Sequence, residues 1–134
     1  MLLEESREVL HPADLPGGVV VDPTPITAGE EVTIFYNGCL SQSGASQIYL
    51  HLGFGPPDNW HRVQDLKMSR TSWGWVRTIS IPFDEERLNF CFWDGAGNWD
   101  NNNGLNWSYI IHGPGNPLFS RLPGTGSPGL QTSC

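Results

Sequence analysis

From residue 18 to about residue 113 the chain alternates apolar and polar side chains in short runs, and almost nothing repeats at helical spacing. Val32, Ile34 and Tyr36 alternate with Thr33, Phe35 and Asn37. Ile48, Leu50 and Leu52 alternate with Tyr49 and His51, and Leu88, Phe90 and Phe92 with Asn89, Cys91 and Trp93. A two-residue period puts each apolar set on one face of an extended strand, so each run offers one face to a core. Further strands are expected over 18–22, around 63–68, over 73–81 ending at Pro82, and over 107–111. Gly, Pro, Asn and Asp punctuate the runs. About seven to nine short strands with this turn spacing predict an all-β fold, an immunoglobulin-like antiparallel β-sandwich, whose strand order the pattern does not give.

The ends read differently. Residues 1–17 are charged and interrupted by Pro12 and Pro16, and residues 114–134 are rich in Pro, Gly and Ser, so both are expected to be tails around one domain at 18–113. A chain of 134 residues suits a single core. Six Trp with only 16% charged residues is more aromatic surface than a small core needs, which places some tryptophan outside. The net charge of -7 repels phosphate backbones and anionic lipid, arguing against nucleic-acid and membrane partners. No apolar run approaches the roughly 20 residues that span a bilayer. The segment 1–7 lacks a basic start and an apolar stretch. Read as complete, the chain is expected in the cytoplasm; read as a fragment of a secreted protein, it is extracellular. Cys39, Cys91 and Cys134 form no C-x-x-C pair, so three reduced thiols are expected, with a Cys39–Cys91 bridge as the alternative.

Two segments concentrate recognition chemistry, 47–60 and 92–104. In the first, Leu50 and Leu52 face inward, so Tyr49 and His51 point away from the core, with Trp60 on a following loop. In the second, Gly95, Gly97 and Gly104 surround a polar loop whose one large apolar side chain is Trp99, flanked by Asn98, Asp100, Asn101, Asn102 and Asn103. An indole is a flat apolar plate that stacks on the C–H face of a pyranose, while amides and an imidazole hydrogen-bond its hydroxyls.

Here the chain resembles the family 25 carbohydrate-binding modules, with the related family 53 modules of plant starch synthases close behind. The resemblance covers residues 31–109. It rests on the strand 32–37, on Tyr49, His51 and Gly53 through Trp60, on Leu66-Lys67-Met68, on Trp75 leading to Pro82, and above all on Asp94-Gly-Ala-Gly-Asn-Trp-Asp-Asn-Asn102. It implies a β-sandwich that binds starch, glycogen and malto-oligosaccharides without catalysis or cofactor, usually attached to an amylase. His51, Trp60 and Trp99 match the family's ligand-facing His and two stacking tryptophans, and Asn101 or Asn102 its hydroxyl-contacting Asn; Tyr49 is a weaker candidate on the same face. The longer loop 55–59 and the extra tryptophans at 73, 93 and 107 depart from the family pattern.

Other readings compete. Trp73, Trp75 and Trp93 are expected to pack at sheet edges and are left out of the site. Asn98-x-Asp100-x-Asn102 begins like a calcium loop, but Asn103 and Tyr109 stand where the turn Gly and the bidentate Glu belong. Asp84-Glu85-Glu86 is expected to be solvated turn charge rather than a catalytic pair. The main rival to sugar binding is a protein-interaction module that grips a partner with exposed tryptophans.

Overall fold

The computed structural model describes residues 18–113; both expected tails, 1–17 and 114–134, lie outside the described residues. Two sheets face each other. One has four strands in the order β1 (Val19–Asp22), β3 (Glu31–Tyr36), β7 (Gly74–Ser80), β6 (Ser69–Thr71). The other runs β2 (Ile26–Thr27), β10 (Trp107–His112), β8 (Arg87–Trp93), β4 (Tyr49–Phe54), β5 (His61–Lys67), and the two-residue β9 (Trp99–Asp100) also pairs with β8. All pairings are antiparallel except that of β2 with β10. The described residues thus hold ten strands rather than seven to nine, because β2, β6 and β9 are too short to show a period.

The alternation sorts as the pattern requires. Val32, Ile34 and Tyr36 from one sheet and Leu50, Leu52, Phe90 and Phe92 from the other are all buried. The Tyr36 and Phe92 rings stack across the interface at 4.1 Å. Between β5 and β6 the chain changes sheets at Met68, which is buried and donates its N–H to the Ile48 carbonyl at 2.9 Å. A single helical turn, α1 (Cys39–Gln42), follows β3, buries Leu40 and donates the Leu40 N–H to the Tyr36 phenol oxygen at 3.0 Å.

Two consequences of this arrangement bear on the site. The far edge of β5 has no partner strand among the described residues, and its residues are mostly exposed. On β8, Asn89 and Cys91 are buried although their parity points them away from the inter-sheet core, so the outer face of this sheet is itself covered there. Cys91 is a free thiol, which excludes the Cys39–Cys91 bridge, and Cys39 is disulfide-bonded, so the expectation of three reduced thiols is overturned as well. Burial, with Asp100 and Asp65 nearby, pushes that thiol up to about 12.

Candidate functional site

Directly paired residues of an antiparallel sheet share a face, and the register therefore assembles the outer surface over β5, β4, β8 and β9. One row holds Lys67, Tyr49, Trp93 and Trp99; the next holds Asp65, His51 and Cys91. Aromatic rings close over this surface. Trp93 and Trp99 stack at 5.0 Å with planes 7° apart. Tyr49 leans on Trp93 at 5.5 Å. His51 stands between the two expected tryptophans, 5.7 Å from Trp60 and edge-to-face with Trp99 at 5.1 Å.

Asp65 ties three strands together. Its Oδ1 accepts from the His51 Nδ1 and from the Trp93 Nε1, both at 2.8 Å. With Nδ1 donating to that carboxylate, the His51 imidazole is fixed in orientation and its Nε2 is turned to other partners. The His51 side chain keeps 25% of its surface exposed. On the other side Trp60 lies against Gly53: a Cβ built on Gly53 would come within 2.9 Å of the Trp60 Cβ and Cε3, so only glycine lets the indole rest on β4. The Trp60 Nε1 donates to the Pro57 carbonyl at 2.7 Å, which sets the rotation of the ring.

Trp99 was expected in a polar loop with little core to enter; instead it sits on β9, is half-buried and packs against the core. The hairpin that carries it is pinned at both ends. At the tip, Asp94 Oδ1 accepts the Ala96 and Asn98 N–H groups and its Oδ2 accepts the Asn98 amide. Burial pulls Asp94 upward, yet these donors hold it below the usual carboxylate value. Gly95, at φ +81, lies where a Cβ would strike the Tyr49 ring at 2.9 Å. At the base, Asp100 turns into the core and accepts from the Tyr36 phenol at 2.6 Å.

The asparagines after it have work in the turn. Asn102 and Asn103 take left-handed φ of 59° and 58°, a conformation asparagine tolerates better than most residues. Asn101 is buried and its Oδ1 accepts the Gly104 N–H at 3.0 Å; Asn102 is half-buried and donates its amide to the Asn106 carbonyl at 3.1 Å. The inward turn of Asp100 leaves no calcium-loop geometry, and no cluster of metal-ligating side chains occurs among the described residues.

A second network lies beside Trp60. His61 Nε2 bonds both Glu85 oxygens, at 2.8 and 3.0 Å; Arg62 reaches Glu85 at 3.2 Å and both Asp84 oxygens at 3.2 Å. The hydrogen bonds and charge of Arg62 hold Asp84 below its usual value. Asp84-Glu85-Glu86 is therefore not all solvated turn charge: Glu85 is only 7% exposed.

The structure thus brings Tyr49, His51, Trp60 and Trp99 onto one face, with Asn101 and Asn102 in the turn behind Trp99. Trp93, set aside in the sequence reading, belongs to this cluster, whereas Trp75 is buried in the core and Trp73 stacks on Phe35 of the other sheet at 5.5 Å. Asp65 was also missed; its only signal was outward parity on the 63–68 strand. Such a face sets apolar plates around a held imidazole, the two kinds of group that can stack on a flat apolar surface and hydrogen-bond hydroxyls.

Residues 32–90 match the starch/carbohydrate-binding module of family 53. An α-amylase of Clostridium acetobutylicum is 42% identical over 88 residues, 65% of this chain and 11% of the amylase, so the chain spans about a tenth of that curated relative. No solved structure matches the chain. The family match supports starch or carbohydrate binding. The matched stretch contains Tyr49, His51 and Trp60 and stops before Trp93 and Trp99.

Proposed function

We propose that this sandwich is a non-catalytic module that binds α-1,4-glucan chains of starch, glycogen or malto-oligosaccharides on the outer face of its six-stranded sheet. The observation that carries the reading is the placing of His51 within 6 Å of both Trp60 and Trp99, ring centre to ring centre. Trp60 and Trp99 stack on glucose units, His51 Nε2 bonds a hydroxyl between them, and Tyr49 extends the apolar floor. Asn101 and Asn102 shape the rim behind Trp99 and offer amides to hydroxyls there. The likeness to family 25, carried by the 94–102 motif, belongs to the same reading. Stacking and a few hydrogen bonds must offset desolvated hydroxyls and lost ligand freedom, so one site gives roughly micromolar to millimolar affinity and long glucans gain by multivalency.

Identity with a segment of an amylase favours a setting in which the module holds an attached amylase on its polymer outside the cell, over a free-standing cytoplasmic one. The test is native affinity electrophoresis in gels containing soluble starch, glycogen or hydroxyethylcellulose, with Trp60→Ala and Trp99→Ala beside wild type. Retardation by the two α-glucans alone, lost in both variants, is the expected outcome. Folded wild type that migrates unretarded in every gel overturns the reading and leaves protein–protein recognition by the same tryptophans.

A further inference from the structure

We propose that Glu85 is a positioning residue of the glucan site, setting the tilt of Trp60 through His61 and Arg62; the inference rests on the glucan-binding reading of that face. Trp60 immediately precedes β5, which opens on an irregularity. Leu52 pairs with Gln64 and Phe54 with His61, so Arg62 and Val63 together oppose Gly53. Two residues against one make a bulge, which bends a strand and re-aims the side chains beside it. Arg62 adopts φ +55, a left-handed conformation that a long side chain rarely takes unless its surroundings impose it. Val63 Cγ2 and the Trp60 ring both crowd the Gly53 position, at 3.1 and 2.9 Å from a Cβ built there. The bulge and the indole therefore share one small space.

What imposes the bulge lies outside the sheet. Glu85, in the turn before β8, is nearly enclosed, and its two oxygens are taken up by His61 and Arg62, the first two residues after Trp60. Arg62 is held a second time by Asp84, through both of its terminal nitrogens. A buried carboxylate with two charged or chargeable partners is costly to rearrange, unlike an exposed ion pair. Removing it frees His61 and Arg62, lets the bulge relax, and lets Trp60 leave the angle at which it faces His51. Asp84 alone, exposed, does not substitute for it.

The experiment compares wild type, Glu85→Ala, Trp60→Ala and the double variant by affinity for soluble starch. In parallel, the indole N–H signals of Trp-labelled protein are followed by NMR, with Trp60 identified as the signal absent from Trp60→Phe. We expect Glu85→Ala to weaken binding about tenfold, in line with loss of hydrogen bonds to charged partners. It should shift the Trp60 signal while leaving that of buried Trp107 in place, and add nothing to the loss already caused by Trp60→Ala. Equal effects of Glu85→Ala with and without Trp60, or an unmoved Trp60 signal, overturn the proposal. If Glu85→Ala does not fold, Glu85→Gln, which keeps the volume and loses the charge, is read by the same criteria. Wild type that ignores starch while its Trp60 signal still responds to Glu85→Ala would sink the glucan reading and keep the positional link.

Discussion

The phenol of Tyr36, on the four-stranded sheet, donates a 2.6 Å hydrogen bond to the buried carboxylate of Asp100, the residue after Trp99. Burial and that neighbouring carboxylate push the phenol well above its usual value, so it remains a donor at any ordinary pH. One core side chain thereby anchors both the helical turn α1 and the strand that presents an indole to solvent.

Tyr36→Phe keeps the ring stacked on Phe92 and removes the hydroxyl that donates to Asp100 and accepts the Leu40 N–H. Leaving a buried acceptor unsatisfied costs about 1–3 kcal/mol, so chemical denaturation should show a loss of that size. Affinity for soluble starch should fall as well, because β9 is no longer held. A variant of unchanged stability would show that Asp100 finds another donor.

Gly53→Ala places a methyl where the Trp60 indole lies. The fold should persist, since Gly53 is on the outer face, but the indole must tilt away and starch retardation should drop toward that of Trp60→Ala. Wild-type retardation in this variant would mean that the ring angle does not matter.

Trp93→Ala removes the plate on which Trp99 rests. Aromatic pairs contribute about 0.5–1.5 kcal/mol beyond burial, so a threefold to tenfold loss of affinity is expected by calorimetry with maltoheptaose. The side chain also loses its hydrogen bond to Asp65, which frees His51 to turn. No loss would return Trp93 to the status of simple packing.

Cys91 tests the covered floor of the site. Its folded value of about 12 lies above the usual 9, so the folded state prefers the neutral thiol. A thiol that ionises more readily when unfolded draws the equilibrium toward unfolding, and stability should fall as pH rises from about 9 and level off near 12. Cys91→Ser should flatten that portion of the profile. Below pH 9, iodoacetamide followed by peptide mapping should find Cys91 unmodified in the native protein and modified in urea.

How far the chain could be read in advance follows from the range of the information. Leu50 against His51 is decided by parity within one strand, so the facing of Tyr49 and His51 was legible from a few neighbouring letters. Trp93 was not, because its partners are fixed by the register of β4 and β9 on β8, which lies in pairings up to 44 residues apart. Asp65 meets His51 and Trp93 by the same long-range register. Glu85 looked like turn charge because only the fold brings His61 and Arg62 over it. The asparagines after Trp99 invited a sugar-contacting part, and the left-handed backbone at Asn102 and Asn103 and the Gly104 N–H bond to Asn101 supply local reasons for the same letters.

Among the described residues the outer edge of β5 is open, which bears on crowding. Modules gathered along one polymer sit at high local concentration, where a flat unpaired edge would template a continuous sheet from copy to copy. The bulge at Arg62 bends that edge, and Arg62, Asp65 and Lys67 stand along the strand as charges that such pairing would have to strip of water. The irregularity beside Trp60 would thus also oppose edge-to-edge pairing of neighbouring modules bound to one polymer.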